Sequence, residues 1–183
     1  MQLRIVSLAL ASLVLQCTSV QAANLVQNPD CDTDVSGWMA DPHSLPTFLS
    51  SDSTTGDPAS PSCHVSTSSN GGALLSSCMP ITAAQNVDFS INVLRNPGND
   101  IEIEVFAFSD ASCSTTFYLT DLRYFVTTTG WTTFSSTSVA LPANTNGAYI
   151  YMYAADSGAN FNFDHVQFGP TGTMDMIFGS RFE

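Results

Sequence analysis

The chain has 183 residues, 44% of them apolar and only 11% charged, which excludes a disordered polyelectrolyte and the Lys/Glu/Arg-rich composition of a helical bundle or coiled coil. Asp and Glu number 16 against four Arg, Lys is absent, and the formal net charge is −12. With no basic patch to neutralise phosphates or anionic headgroups, neither a nucleic-acid partner nor a membrane-surface partner is expected.

Residues 1–22 read as a secretory signal. Arg4 supplies the positive start, residues 5–15 the apolar middle, and Val20-Gln21-Ala22 the small-x-small cleavage pattern. The apolar run is shorter than the ~20 residues that cross a bilayer, so no membrane insertion is expected. Residues 23–170 then form one domain, and residues 171–183 a loosely ordered tail. The domain keeps Cys31, Cys63, Cys78 and Cys113. An even cysteine count in an exported chain predicts two disulfides and a secreted or extracellular location, with three pairings open. There is no C-x-x-C spacing and His43, His64 and His165 are scattered, which disfavours zinc.

The elements that follow alternate as strands do. Short strands are expected at 24–27, 62–67 and 73–77, with 43–72 otherwise a polar loop region carrying edge strands. In 86–94, Val87, Phe89, Ile91 and Val93 share one face and Asp88, Ser90 and Asn92 the other. Asn96-Pro97-Gly98-Asn99 predicts a turn. In 101–108, Ile101, Ile103, Val105 and Ala107 oppose Glu102, Glu104, Phe106 and Phe108. Residues 122–127, 131–139, 148–154 and 161–168 complete the set, rich in β-branched and aromatic types. Many short strands between Gly, Pro, Asn and Ser clusters predict an all-β fold, a two-sheet antiparallel β-sandwich or jelly roll.

Asn24-Leu25-Val26-Gln27-Asn28-Pro29-Asp30-Cys31-Asp32 followed by Ser36-Gly37-Trp38, and the closing Phe161-Asn162-Phe163-Asp164-His165-Val166, carry a resemblance. They resemble the first and last strands of carbohydrate-binding modules of families 4, 9 and 22, which open on N-L-x-x-N-G-D-F-E, continue to G-W and close on D-D-V. Segments around Cys78-Met79-Pro80, Asp110 to Cys113 and Gly130-Trp131 resemble their middle strands. The resemblance covers about residues 24–170 and implies a galactose-binding-like jelly roll. It implies the pairings Cys31–Cys63 and Cys78–Cys113, the first replacing the buried Phe of the family pattern. It also implies a structural calcium shared by the first and last strands, with Asp32 and Asp164 as ligands. His165, standing where the family has a second Asp, removes one oxygen. Trp38 and Trp131 match packing positions and are expected in the core.

Sugar binding needs aromatic rings against a pyranose face with carboxylates or amides at the hydroxyls. Tyr149, Tyr151 and Tyr153 alternate along one strand and share a face; Glu102, Glu104 and Phe106 form a second outward stripe. Both are candidate carbohydrate-binding residues. Glu102 and Glu104 read as solvated side chains rather than an acid–base pair, since such pairs flank a sugar from different elements. No G-x-S-x-G, H-E-x-x-H, P-loop or dinucleotide fingerprint occurs, so no enzyme is expected. The expectation is a secreted, monomeric, non-catalytic module recognising a neutral polysaccharide or cell-surface glycan. The alternative is a structural or adhesive protein of the same fold with no glycan site.

Overall fold

A computed structural model describes residues 24–45, 47–57, 61–68, 71–82, 86–96, 100–155 and 158–172. The expected signal, residues 97–99 of the expected turn and most of the tail lie outside them. Among the described residues every regular element is a strand: β1 (Trp38–Ala40), β2 (Thr47–Asp52), β3 (Ser62–Thr67), β4 (Gly72–Ser76), β5 (Met79–Pro80), β6 (Asn86–Arg95), β7 (Ile101–Phe108), β8 (Phe117–Val126), β9 (Gly130–Ala140), β10 (Gly147–Ala154) and β11 (Asn160–Pro170).

The strands pair antiparallel into two sheets. One runs β1-β4-β10-β7-β8, with β5 continuing the β4 side of β10; the other runs β2-β3-β11-β6-β9. The alternating patterns explain the sandwich. Val87, Phe89, Ile91 and Val93 of β6 meet Ile101, Ile103 and Val105 of β7 and Ile150 and Met152 of β10 in one buried core, joined by Phe161, Phe163 and Phe168 of β11. Burying a side chain of this size stabilises the fold by about 1.5–3 kcal/mol, so this layer of rings and branched chains dominates folding.

Both disulfides form as the resemblance implies, Cys31–Cys63 within the core and Cys78–Cys113 half-buried at one rim. Trp38 is buried, its ring 4.6 Å from that of Phe163 and its indole N–H donating to the Asn28 carbonyl.

Two expectations are corrected. Residues 24–27 are not a strand. Asn28 and Cys31 take positive φ (51° and 50°), and His165 (φ 51°) lies where the β11–β6 register shifts, so a regular ladder cannot extend there. The opening segment still lies against β11. The Asn24 amide donates to the Val166 carbonyl and accepts from the Phe168 N–H, and the Leu25 N–H donates to the Phe168 carbonyl. Trp131, expected in the core, is half-buried on edge strand β9 opposite half-buried Leu94.

The outer faces of the two sheets differ. On β6 and β11, Asn92, Asn162 and Asp164 are buried and find partners in β2, β3 and Asp57. The Asn162 amide donates to Asp52 and Ser62, the Asn92 amide to the Asp57 carbonyl, and the Asp57 N–H to Asp164 Oδ2. The other sheet carries an outward aromatic stripe on β10, β7 and β8, while its Trp38 and Tyr124 pack inward. Its edge strand β8 bulges opposite Val105, where the Thr120 hydroxyl donates to the Val105 carbonyl and accepts from the Leu122 N–H.

Candidate functional site

Cross-strand register assembles the two expected stripes into one surface. Tyr153 of β10 pairs Glu102 of β7, which pairs Phe125 of β8. The next row is Tyr151, Glu104 and Arg123; the third is Tyr149, Phe106 and Leu119. Rows two residues apart along a strand stand about 7 Å from each other, and neighbouring strands about 4.8 Å. All six candidate carbohydrate-binding residues therefore share one face.

The face has two halves. Around the third row the rings pack on one another: Phe106 lies 5.5 Å from Tyr149, 5.4 Å edge-on from Tyr151 and 5.3 Å edge-on from Phe117. Phe108 is covered, with Tyr149 at 4.9 Å. These contacts hold the tyrosine rings in fixed poses. The other half is polar and open. Glu102 and Glu104 are not bathed in solvent as expected, because Arg123 ion-pairs with both, at 2.9 Å to Glu104, and lies 5.0 Å over the Phe125 ring. Burial, then the neighbouring Glu102 charge, pushes the Glu104 carboxyl above its usual range, while the bond to Glu102 raises the Arg123 guanidinium. Burial first, and the Asp41 charge second, raises the Tyr149 hydroxyl and pushes that of Tyr151 up to about 12. Both therefore stay protonated donors.

Tyr153 is 37% exposed and forms a wall of two clefts. One, about 320 Å³, is lined by Asp100, Glu102, Phe125, Thr127 and Tyr153; the other, about 360 Å³, by Asp41, His43, Ser44, Leu45, Tyr151 and Tyr153. Among the described residues, the hydroxyls of Tyr149, Tyr151 and Tyr153 make no hydrogen bond. The arrangement offers aromatic faces flanked by hydrogen-bonding groups. Phe125, Arg123 and Asp41 escaped the sequence reading. The signal for the first two was the alternation of Leu119, Arg123 and Phe125; nothing local pointed to Asp41.

The two expected calcium ligands are placed differently. Asp164 is buried on β11, and its oxygens accept from the Asp57 and His165 N–H groups. Burial pushes its carboxyl up to about 6. Asp32 is exposed in a loop, and it is Asp30 that pairs with His165, at 3.5 Å. Among the described residues no three His, Cys, Asp or Glu side chains converge as a metal site.

The two antiparallel sheets form a jelly-roll sandwich with an aromatic outer face. Three solved structures make the likeness specific. The C-terminal family 22 carbohydrate-binding module of Clostridium thermocellum Xyn10B has a TM-score of 0.56 at 18% identity, over 83% of this chain and 98% of that one. The CBM22-1–GH10 modules of the same organism's endo-1,4-β-D-xylanase 10B, complexed with xylohexaose, give 0.58 at 17% identity over 80% of this chain, which spans 28% of that one. The enzymatically active domain of bacteriophage CBA120 tailspike protein 4 gives 0.61 at 10% identity over 80% of this chain, which spans 21% of that one. No protein-family model and no curated protein matches. At these identities the fold is what is shared.

Proposed function

We propose that this chain is a secreted, non-catalytic module that binds a neutral polysaccharide on the outer face of the β1-β4-β10-β7-β8 sheet. The observation that carries the reading is the pair of clefts divided by Tyr153, each combining an aromatic wall with carboxylates and hydroxyls. The xylohexaose held by one structural relative supports it. Arg123 offsets one of the two negative charges of Glu102 and Glu104 and holds both carboxylates in place as acceptors for sugar hydroxyls. Calcium belongs to the same reading as a structural ion, with Asp164 and Asp32 as its ligands.

Affinity electrophoresis against a panel of soluble polysaccharides tests it. At least one neutral glycan should retard the protein. Tyr153→Ala should abolish the retardation while shifting Tm by no more than about 2 °C, as for a surface substitution. Tyr153 is the better probe than Tyr151, whose ring also packs on Phe106. Release of product from a glycan would instead make the chain an enzyme. A second reading, an adhesive protein, rests on Phe117 and Leu119, which stand 53% and 68% exposed on edge strand β8; retardation by no glycan would favour it.

A further inference from the structure

The carboxylates lining the two clefts are not equivalent. Asp100 pairs with Arg95 at 3.3 Å, and Glu102 shares Arg123 with Glu104. Asp41, in the other cleft, meets no cation among the described residues. Its Oδ1 accepts the His43 N–H at 2.9 Å, and its second oxygen has no hydrogen-bond partner among the described residues. The cleft beside it is of small-ligand size and is lined by Tyr151 and Tyr153. A carboxylate sharing a cleft with aromatic side chains suits a cation. The carboxylate supplies charge and a hydrogen-bond acceptor, and the ring faces attract positive charge through their quadrupoles. The net charge of −12 raises the local concentration of positively charged ligands and repels uronates.

We infer that the Asp41–Tyr151–Tyr153 cleft is a subsite for the protonated amine of an amino sugar, a 2-amino-2-deoxyhexose unit of the bound glycan. The inference rests on the sugar-binding reading of this face and extends it: neutral units stack on the rings, and one cationic unit is selected at the Asp41 end. The cleft on the other side of Tyr153 sets the contrast, because its carboxylates are already paired, Asp100 with Arg95 and Glu102 with Arg123.

The test uses the tetramer of β-1,4-linked glucosamine with its amines protonated, its fully N-acetylated form, and cellotetraose, titrated calorimetrically at low salt. The glucosamine tetramer should bind about fivefold tighter than the N-acetylated one, the worth of one partly exposed charge pair, and added salt should erase the difference. Asp41→Asn, which keeps an acceptor for the His43 N–H, should bring the ratio to one and leave neutral binding unchanged. Asp34→Asn, an exposed position outside both clefts, should leave the ratio intact. A preference that survives Asp41→Asn, or that Asp34→Asn weakens equally, overturns the inference as non-specific attraction to an acidic protein. No preference in the wild type, while a neutral glycan of the panel is retarded, overturns it alone. Failure of every glycan overturns it together with the sugar-binding reading.

Discussion

The two disulfides offer a stability experiment whose magnitudes can be worked in advance. Cys31–Cys63 and Cys78–Cys113 join residues 32 and 35 apart, so chain entropy assigns each about 4 kcal/mol, with no useful difference between them. Packing separates them. Cys31 and Cys63 are fully buried, whereas Cys78 and Cys113 are half-buried at the rim. Replacing the buried pair by alanine also leaves a void where two sulfurs were, at about 1 kcal/mol each. Cys31→Ala/Cys63→Ala should therefore cost about 6 kcal/mol and Cys78→Ala/Cys113→Ala about 4 kcal/mol. The loops follow one another without overlap, so the losses should add, and the quadruple variant, short by about 10 kcal/mol, should be largely unfolded at 25 °C. Urea titration without reductant measures all three. The slope with urea should steepen in each variant, because an unlinked denatured chain exposes more surface. Equal losses for the two pairs, or a larger loss at the rim, would refute the reasoning.

Asp164 gives a pH dependence. Its carboxyl is raised from 3.8 to about 6 in the folded chain, so the stability it allows is fully present below pH 3.8 and lost as pH rises through about 6. Wild type minus Asp164→Asn, followed by urea midpoint, should fall by about 3 kcal/mol across that window; a flat difference curve would contradict the burial argument. For calcium, addition should raise Tm and flatten that curve, and chelation should reverse both, by about 2.7 kcal/mol at a hundredfold excess over Kd. An unchanged Tm on chelation would count against Asp32 and Asp164 as a site.

The central strands were legible because their alternation is strong. Residues 101–108 match β7 at both ends, 62–67 match β3, and the strands expected at 86–94 and 148–154 differ from β6 and β10 by one residue at one end each. Strands β1, β2 and β5 were not separately legible. β1 and β5 have only three and two residues, and β2 is rich in Ser and Thr, so their pairing comes from neighbours rather than from their own pattern. Residues 24–27 erred the other way: they look like a strand, but the Asn24 side chain performs the bonding a ladder would. The tyrosine and Glu/Phe stripes were each visible. Their union was not, since register between β10, β7 and β8 is set by the whole sheet. The Arg123 clamp on Glu102 and Glu104 depends on that register.

The irregularity in β8 matters for how such a chain survives at high local density. An outermost strand bearing Phe117, Leu119 and Phe125 would invite a neighbouring molecule to add its own backbone, the first step toward fibrils. The extra residues opposite Val105 break the regular ladder of that strand, with the Thr120 hydroxyl bound to the Val105 carbonyl and taking the Leu122 N–H, and Asp121 placing charge at the same point. Many copies crowded along a polymer could then stand shoulder to shoulder, greasy side chains outward, without zipping together.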